Sequence, residues 1–328
     1  MRKLITRVGL LLTSLVFIAG CQTTDKVEKV RVAEVTRSLF YTPQYVAIEK
    51  GFFKEEGLDI ELTTTWGGDK TMTTLLSDGA DIALVGSETS IYVYAQNPID
   101  PVINFAQLTQ TDGTFLVSRE KVDDFKWEDL KGTTFLGQRK GGMPQMAGEF
   151  VLRKNGIDPF ADLELIQNID FANIATAFST GTGDYVQLFE PTASLFEEQG
   201  IGHIVASFGT ESGLLPYTTF MSKESYLKEN KETVEKFTRA LQKAQKFVDT
   251  ASLEELAVLV QPYFEDTELD LMETVIDRYR AQGSFATDPI LDEAEWNNLQ
   301  TIMDQAGELP QQVDHETLVN TDFAKSAK

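Results

Sequence analysis

The sequence is poor in the residues that most metal and redox sites require, with one cysteine and two histidines among 328 residues. A single cysteine excludes a disulfide within the chain and a zinc site built from several thiolates. Positive charge is also scarce, because 29 Lys and Arg residues face 51 Asp and Glu residues, which gives a formal net charge of −22. Proteins that bind nucleic acid need clustered Lys and Arg to contact phosphates. We therefore expect no metal site, no cofactor and no nucleic-acid partner.

The motifs of several enzyme classes are absent as well. The sequence contains no G-x-S-x-G elbow, no Walker A sequence, no H-E-x-x-H pair and no EF-hand loop. The glycines at 181 and 183 lack the third glycine of a dinucleotide fingerprint, and they follow a predicted helix instead of a strand. His203 falls within a predicted strand, which favours a structural histidine over a general base, and His315 lies in a polar segment where we expect it to be exposed. These features favour a binding protein over an enzyme.

The N-terminus has the pattern of a secretory signal. Three basic residues among the first seven precede an apolar run at 8–20, which is too short to span a membrane. The run ends in the sequence IAGC at 18–21, which resembles a bacterial lipobox, where a lipid is attached to the cysteine. We expect residues 1–20 to be a signal peptide, Cys21 to be lipidated and residues 21–29 to form a polar tether at the extracytoplasmic face of the cell membrane. The alternative is an ordinary signal peptide and a free thiol.

The rest of the chain alternates strands and helices. Apolar alternation and β-branched residues predict nine strands, at 30–36, 58–62, 81–85, 102–108, 114–118, 133–137, 163–167, 185–189 and 203–208. Helical spacing predicts segments at 43–56, 70–77, 88–96, 125–132, 144–155, 169–179 and 192–198, and, beyond 218–222, at 231–249, 253–260, 269–280 and 292–306. Strand–helix–strand order predicts parallel sheets with right-handed crossovers. Because no linker rich in Pro and Gly is present, we expect two α/β lobes joined by strands.

Three segments carry a family resemblance. Residues 42–62, TPQYVAIEKGFFKEEGLDIEL, resemble the opening signature of the substrate-binding proteins of the nitrate, sulfonate, taurine and thiamine-pyrimidine type, which serve ATP-driven importers. The segment LLSDGADIA at 75–83 and the segment WEDLKG at 127–132 resemble later motifs of the same family, in the same order. The resemblance covers roughly residues 30–250.

The resemblance implies a type II periplasmic-binding-protein fold, in which two doubly wound α/β lobes are joined by a two-strand hinge. Lobe 1 would comprise 30–118 and 217–328, including the C-terminal helices, and lobe 2 would be inserted at 119–216. The ligand would lie between the lobes, at the carboxyl ends of the strands. Closure over the ligand would then be read by the permease and ATPase subunits of an ABC importer.

The loops that follow the strands of lobe 1 supply the first candidate ligand contacts. Aromatic rings in these loops could stack on a flat ligand, and hydroxyl, amide and backbone groups could give directional hydrogen bonds. The candidates are Ser38, Phe40, Tyr41, Gln44, Trp66, Gly67, Ser87, Glu88 and Gln110. We expect Tyr45, on the apolar face of its helix, to be core. Ser87 is equally suited to cap a helix, and Glu88, near a helix N-terminus, is expected to stay ionised.

Lobe 2 contributes two further candidate groups. Arg139, Lys140 and Gly141 join a strand end to a helix start, which suits an anionic group, although an exposed basic turn is the alternative. Glu190 lies just past another strand end, where pyrimidine-binding relatives carry an acid. The alternative for Glu190 is a solvated surface acid.

The residues leave the ligand open between two classes. The acids Glu88 and Glu190 beside aromatic rings favour a thiamine-type pyrimidine or another amino-heterocycle, whereas Arg139 and Lys140 favour an alkanesulfonate, taurine or a nitrate-like anion. A branch of the family synthesises the thiamine pyrimidine with a Cys-rich motif and a reactive His, and this chain has neither. A purely structural lipoprotein would need a large apolar or repeated surface, which the sequence does not indicate. We expect a solute receptor with no catalytic residues.

Overall fold

The computed structural model describes residues 27–327, so the predicted signal peptide, Cys21 and most of the predicted tether lie outside the described residues. Ten strands are present in this part of the chain. They are β1 (Glu28–Glu34), β2 (Leu58–Thr64), β3 (Ile82–Gly86), β4 (Val102–Thr109), β5 (Thr114–Ser118), β6 (Thr134–Leu136), β7 (Glu164–Ile166), β8 (Tyr185–Phe189), β9 (His203–Ser207) and β10 (Thr218–Lys223). The nine predicted strands all correspond to observed ones, and β10 is an additional strand that the sequence pattern does not predict.

The strands form two five-stranded sheets, in the orders β2-β1-β3-β10-β4 and β7-β6-β8-β5-β9. Each sheet is mixed, which corrects the prediction of purely parallel sheets. β10 pairs antiparallel with both β3 and β4, and β5 pairs antiparallel with both β8 and β9. In each sheet the antiparallel strand is the first one after the chain arrives from the other sheet. The chain does not reach this strand through a crossover helix from a neighbouring strand of the same sheet. Such a crossover is what makes successive strands parallel, so an antiparallel direction is possible here.

The passage between the sheets differs from the expected lobe boundary. β4 ends at Thr109 in the first sheet, and β5 begins at Thr114 in the second. The boundary expected at 118 therefore assigns β5 to the wrong sheet, because a buried apolar strand has the same local pattern in either sheet. The chain returns to the first sheet at β10, directly after Tyr217.

Fifteen α-helices surround the two sheets within residues 27–327. They are α1 (Thr42–Glu49), α2 (Phe52–Glu55), α3 (Gly68–Leu76), α4 (Glu88–Tyr94), α5 (Met143–Lys154), α6 (Ile174–Ser179), α7 (Thr192–Glu198), α8 (Phe208–Ser212), α9 (Glu224–Glu229), α10 (Lys231–Thr250), α11 (Leu253–Val260), α12 (Leu269–Ala281), α13 (Glu293–Gln305), α14 (His315–Leu318) and α15 (Asp322–Ser326). Short 3₁₀ turns occupy Leu39–Tyr41, Trp127–Leu130, Phe171–Asn173 and Gln261–Tyr263. The helix predicted at 43–56 is split by Gly51, whose φ of 76° is left-handed and ends α1.

The C-terminal helices cover the first sheet. One face of α10 is buried, and Phe237 on this face packs against rings of three other elements. Its ring centroid lies 4.8 Å from that of Phe53, 5.9 Å from that of Phe105 and 5.0 Å from that of Phe220. His315 was expected to be exposed, but its Nε2 lies 2.9 Å from the Leu291 carbonyl in a half-buried position. The C-terminal region is therefore part of the lobe that contains the first sheet.

Candidate functional site

A cavity of about 690 Å³ lies between the two sheets. Its lining comes from both sides, including Thr36 after β1, Gly86 at the end of β3 and Gln138 after β6. The carboxyl ends of the parallel strands therefore face the cavity, which is where open α/β sheets bind small molecules. The volume falls in the range of cavities that enclose small organic ligands.

Aromatic side chains form much of the cavity wall. Six rings line it, namely Tyr41, Trp66, Tyr92, Phe171, Phe189 and Tyr217. Of these, sequence reasoning identified only Tyr41 and Trp66. Phe189 could have been found, because it ends a predicted strand next to the chosen Glu190. Tyr217 was missed because the strand that it precedes was not recognised.

Phe40 supports this wall from behind. It is buried and does not line the cavity, which corrects its assignment as a ligand contact. Its ring centroid lies 5.6 Å from that of Tyr217, 6.0 Å from that of Phe189 and 6.1 Å from that of Tyr41. Aromatic pairs at such distances are favourable. Phe40 therefore fixes the positions of three lining rings that come from different parts of the chain.

The loop after β2 places an indole at the mouth of the cavity. Trp66 is 50% exposed and has a φ of 59°, and Gly67 follows it with a φ of 146°. Non-glycine residues with positive φ are uncommon and mark positions where the surroundings hold the backbone in place. Both residues line the cavity, as does Gly141 on the opposite side. Because half of Trp66 is exposed, the indole can cover a ligand without losing many contacts within the protein.

Glu88 is the buried acid of the cavity. It is 4% exposed, and its Oε1 accepts a hydrogen bond of 3.2 Å from the backbone N–H of Met143 at the start of α5. The other oxygen, Oε2, has no hydrogen-bond partner in the described structure. Burial raises the pKa of Glu88 to about 7, against a smaller opposing effect of two backbone N–H groups. Near neutral pH the Glu88 carboxyl is therefore only partly ionised, because desolvation outweighs the effect of the helix N-terminus that was expected to keep it ionised.

The two basic residues of lobe 2 lie at the mouth, where acids compensate them. Arg139 is 3.2 Å from Asp69 of the first lobe and 3.6 Å from Asp170 of its own lobe. Lys140 is 3.6 Å from Glu308, which follows α13. Both basic residues line the cavity. Their charges, however, link the two lobes across the opening instead of facing a ligand unpaired.

Glu190 does not line the cavity, which corrects its assignment as a ligand contact. Its carboxylate accepts hydrogen bonds of 2.8 Å from both the N–H and the hydroxyl of Ser194, and it forms an ion pair with Arg278 of α12. The backbone carbonyl of Glu190 accepts a hydrogen bond of 3.0 Å from Ser38 Oγ. Because Ser38 and Arg278 belong to elements that pack with the first sheet, these contacts join the two lobes. The alternative of a solvated surface acid is also wrong, because Glu190 is 1% exposed.

Four further candidates do not line the cavity, which corrects their assignment as well: Ser38, Gln44 and Ser87 are buried, and Gln110 is partly buried. Ser38 donates to the Glu190 carbonyl, as described above. Gln44, Ser87 and Gln110 use their side chains as hydrogen-bond donors within the protein. Their acceptors are Glu34 Oε2 at 2.8 Å from Gln44 Nε2, the Pro216 carbonyl for Ser87, and the Gly283 carbonyl at 3.0 Å from Gln110 Nε2. Strand-end position alone did not reveal these partners, which are distant in sequence for Ser87 and Gln110.

The side chains and helices of residues 27–327 offer neither a metal site nor a membrane span. No group of three or more His, Cys, Asp or Glu side chains in this range is arranged to hold a metal ion. No helix in the same range is both long and apolar enough to cross a membrane.

The comparisons with known proteins agree with this architecture. Residues 40–250 match the family described as NMT1/THI5 like. YtlA of Bacillus subtilis (strain 168), which is named as a candidate binding protein, is 64% identical over 308 residues, covering 94% of this chain and 92% of YtlA.

Solved structures show the same fold at low sequence identity. The alkanesulfonate-binding protein SsuA from Xanthomonas axonopodis pv. citri, solved with MOPS, has a TM-score of 0.71 at 16% identity and covers 89% of this chain and 98% of its own. The periplasmic nitrate-binding protein NrtA from Synechocystis PCC 6803 has a TM-score of 0.72 at 16% identity, covering 92% and 88%. The expected type II periplasmic-binding-protein fold is thereby confirmed.

Proposed function

The chain belongs to the NMT1/THI5-like family, and on that premise we propose that it is the extracytoplasmic solute receptor of an ABC importer. It binds a small organic molecule between its two lobes and delivers it, chemically unchanged, to the permease and its ATPase. A lipid on Cys21 holds it at the outer face of the cell membrane. The ligand is a flat amino-heterocycle, with a thiamine-type pyrimidine as the leading candidate.

The observation that carries the receptor function is the cavity of about 690 Å³ whose wall is shared by both lobes. A ligand in this position contacts both halves at once, so it favours the closed arrangement over an open one. The ion pair of 3.2 Å between Asp69 and Arg139 and the hydrogen bond from Met143 N–H to Glu88 also form only when the lobes are together. A membrane partner can therefore distinguish the closed, ligand-bound conformation from the open, empty one.

The wall of the cavity supports a flat amino-heterocycle. Six aromatic side chains provide stacking surface, and Glu88 provides a buried acceptor. Exocyclic amino groups and protonated ring nitrogens of heterocycles donate hydrogen bonds that such a carboxyl can receive. An aromatic wall with one buried acid suits this chemistry better than that of a small inorganic anion.

A sulfonate or nitrate-like anion is the second candidate, because Arg139 and Lys140 line the cavity. The similarity in fold to proteins named as alkanesulfonate-binding and nitrate-binding also motivates this alternative. The acids Asp69, Asp170 and Glu308 already compensate both basic side chains at the mouth, however. An anion deeper in the cavity would meet the carboxyl of Glu88, which is unfavourable when that carboxyl is ionised.

An enzyme that synthesises the pyrimidine remains disfavoured. The cavity lining contains neither histidine nor cysteine among residues 27–327. The titratable groups that it does contain are carboxyls, tyrosine hydroxyls and basic side chains at the mouth.

Isothermal titration calorimetry on the full chain, purified in detergent, tests the proposal. The panel contains 4-amino-5-hydroxymethyl-2-methylpyrimidine, thiamine, taurine, ethanesulfonate and nitrate. We expect micromolar or tighter binding of an aminopyrimidine, near −8 kcal/mol, with recovery of the ligand unchanged. Tighter binding of ethanesulfonate or nitrate would replace the ligand class and leave the receptor function standing. Chemical conversion of the bound pyrimidine would contradict the receptor function.

A further inference from the structure

The carboxyl of Glu88 stands apart from the other charged groups of the cavity. Among the acids and bases that line it, Glu88 is the buried one, whereas Asp69, Lys70, Arg139 and Lys140 are partly or fully exposed at the mouth. In residues 27–327 no basic side chain lies within ion-pair distance of Glu88, and its Oε2 accepts no hydrogen bond. A buried polar atom without a partner is costly and is uncommon in folded proteins. Because Glu88 lines the cavity, a ligand group bound there is placed to complete this oxygen.

Three tyrosines share the cavity wall with this carboxyl. Burial raises the pKa of Tyr41, Tyr92 and Tyr217, and the negative charge of Glu88 raises each of them further, which places all three hydroxyls within its field. All three side chains also line the cavity. A carboxyl among aromatic faces suits a flat group that carries N–H donors, because the rings stack on it or attract its positive charge.

The backbone before Glu88 makes room for the carboxyl. A Cβ atom added at Gly86 would overlap Glu88 Oε2 and Oε1. Any side chain at position 86 would therefore push the carboxyl out of its present position. Gly86 also lines the cavity, so the absence of a side chain there lets the carboxyl fold back to the cavity wall.

The same carboxyl joins the two lobes. Glu88 begins α4, which follows β3 of the first sheet, while Met143 begins α5, which follows β6 of the second. The hydrogen bond of 3.2 Å from Met143 N–H to Glu88 Oε1 crosses the cleft between them. One carboxyl oxygen therefore makes a hydrogen bond to the other lobe, while the second oxygen has no hydrogen-bond partner in the described structure.

Resting on the receptor function proposed above, we propose that Glu88 is the specificity-determining residue of the cavity. Its Oε2 receives an N–H donor of the ligand, which is an amino-heterocycle, an amidine or a protonated amine, while its Oε1 holds the N-terminus of α5. Ligand recognition and closure of the lobes therefore share one side chain. A ligand of the same shape without the N–H leaves Oε2 unpaired and binds more weakly, and an anion is excluded from this end of the cavity.

A matched pair of probes tests the recognition. 4-Amino-2-methylpyrimidine carries the N–H donor, and 2,4-dimethylpyrimidine replaces the amino group with a methyl group of similar size. We expect the full chain, titrated by calorimetry in detergent, to prefer the amino probe by about 10- to 100-fold, because a site with a buried acceptor rejects a ligand that lacks the donor. The Glu88→Met variant, which has no acceptor, is expected to bind both probes within about threefold of each other.

Two further variants separate position from charge. Gly86→Ala keeps the carboxyl but displaces it, and we expect most of the preference for the amino probe to be lost. Glu198→Gln removes an exposed acid at the end of α7, outside the cavity lining, so it is the matched control and should retain the wild-type preference. Binding of 2,4-dimethylpyrimidine by each variant shows that its cavity is folded.

Spin labels on the two lobes test the link to closure. Ile99 and Phe160 are exposed residues on opposite lobes, and cysteines placed there with Cys21 intact as the lipid site give one distance across the cleft. We expect 4-amino-2-methylpyrimidine to narrow the distance distribution in the wild-type background and to have little effect in Glu88→Met.

The outcomes distinguish this inference from the receptor function. Equal affinity of the wild-type protein for the two pyrimidines, or a preference that survives in Glu88→Met, would overturn the role of Glu88 and leave the receptor intact. Tighter binding of ethanesulfonate than of the amino probe would do the same. Failure of every pyrimidine, sulfonate and nitrate to bind the wild-type protein would overturn the receptor function, and the role of Glu88 with it.

Discussion

Replacing Glu88 with glutamine changes how the stability of the protein depends on pH. Burial raises the pKa of Glu88 to about 7 in the folded protein, from its ordinary value of 4.5 in the unfolded chain. The folded state therefore holds a proton that the unfolded state has released between these two values. Because stability falls with rising pH wherever the folded state binds more protons, Glu88 makes the ligand-free protein less stable as pH rises from about 4.5 through about 7.

The size of the effect follows from the shift. Each unit of pKa difference corresponds to about 1.4 kcal/mol, so a rise from 4.5 to about 7 amounts to a loss on the order of 3 kcal/mol once the pH exceeds both values. Glutamine is uncharged at every pH and keeps an acceptor for Met143 N–H. The Glu88→Gln variant should therefore exceed the wild-type protein in free energy of unfolding by about 1 kcal/mol or less near pH 5 and by on the order of 3 kcal/mol at pH 8.5.

Urea denaturation at pH 5, 6, 7 and 8.5 measures this difference, with tryptophan fluorescence and circular dichroism as independent probes. Other buried acids also have a raised pKa, including Asp112 at about 6 and Glu190. They are present in both proteins, so the difference between the two unfolding curves cancels their effect. Parallel pH profiles for the wild-type protein and Glu88→Gln would refute the reasoning, because they would mean that the carboxyl stays solvated or finds a cation.

The remaining predictions concern the lobe contacts, the wall and the anchor. Glu190→Ala should lower the free energy of unfolding by about 2 kcal/mol in urea denaturation, because Arg278 loses its buried partner; unchanged stability would contradict this. Trp66→Ala should leave stability within about 0.5 kcal/mol, since the indole is 50% exposed, yet weaken aminopyrimidine binding about tenfold in calorimetry; equal affinity would remove Trp66 from the site. Added salt should weaken aminopyrimidine binding to the wild-type protein, because salt screens the exposed ion pair between Arg139 and Asp69 across the mouth of the cavity. Arg139→Gln should abolish this salt dependence, and an unchanged dependence would contradict the role of the ion pair. Cys21→Ser should move the protein from the membrane fraction to the soluble fraction, and retention in the membrane would exclude the lipid anchor.

Local patterns predicted most of the secondary structure but not how the strands pair. Alternation of apolar residues identifies a strand such as β5 at Thr114–Ser118. Its antiparallel pairing with β8 and β9 depends on residues about 70 to 90 positions away. The strand β10 at Thr218–Lys223 escaped recognition because its short sequence, TTFMSK, mixes polar and apolar residues. Sheet order and lobe boundary are properties of such distant pairings, so sequence periodicity carries little information about them.

The site shows the same division between local and distant information. The rule that ligands lie beyond strand ends selected Tyr41, Trp66, Glu88 and Arg139, all of which line the cavity. The same rule selected Glu190, which lies one residue past β8 but is turned away from the cavity. Position relative to a strand end is readable from the sequence. The direction of the side chain depends on partners that other segments supply.

Glu88 and Glu190 show what decides the role of an acid in such a protein. Both follow a strand end, both are buried, and burial raises the pKa of both carboxyls. Arg278 and Ser194 reach Glu190 and satisfy it, so its charge is used to hold the lobes together. No basic side chain of residues 27–327 pairs with Glu88, and one of its oxygens is left without a donor. A buried carboxyl without a compensating group weakens the ligand-free protein above neutral pH, and a ligand that supplies an N–H recovers that loss on binding. The same desolvation that makes Glu88 unfavourable in the empty receptor therefore favours the occupied, closed one.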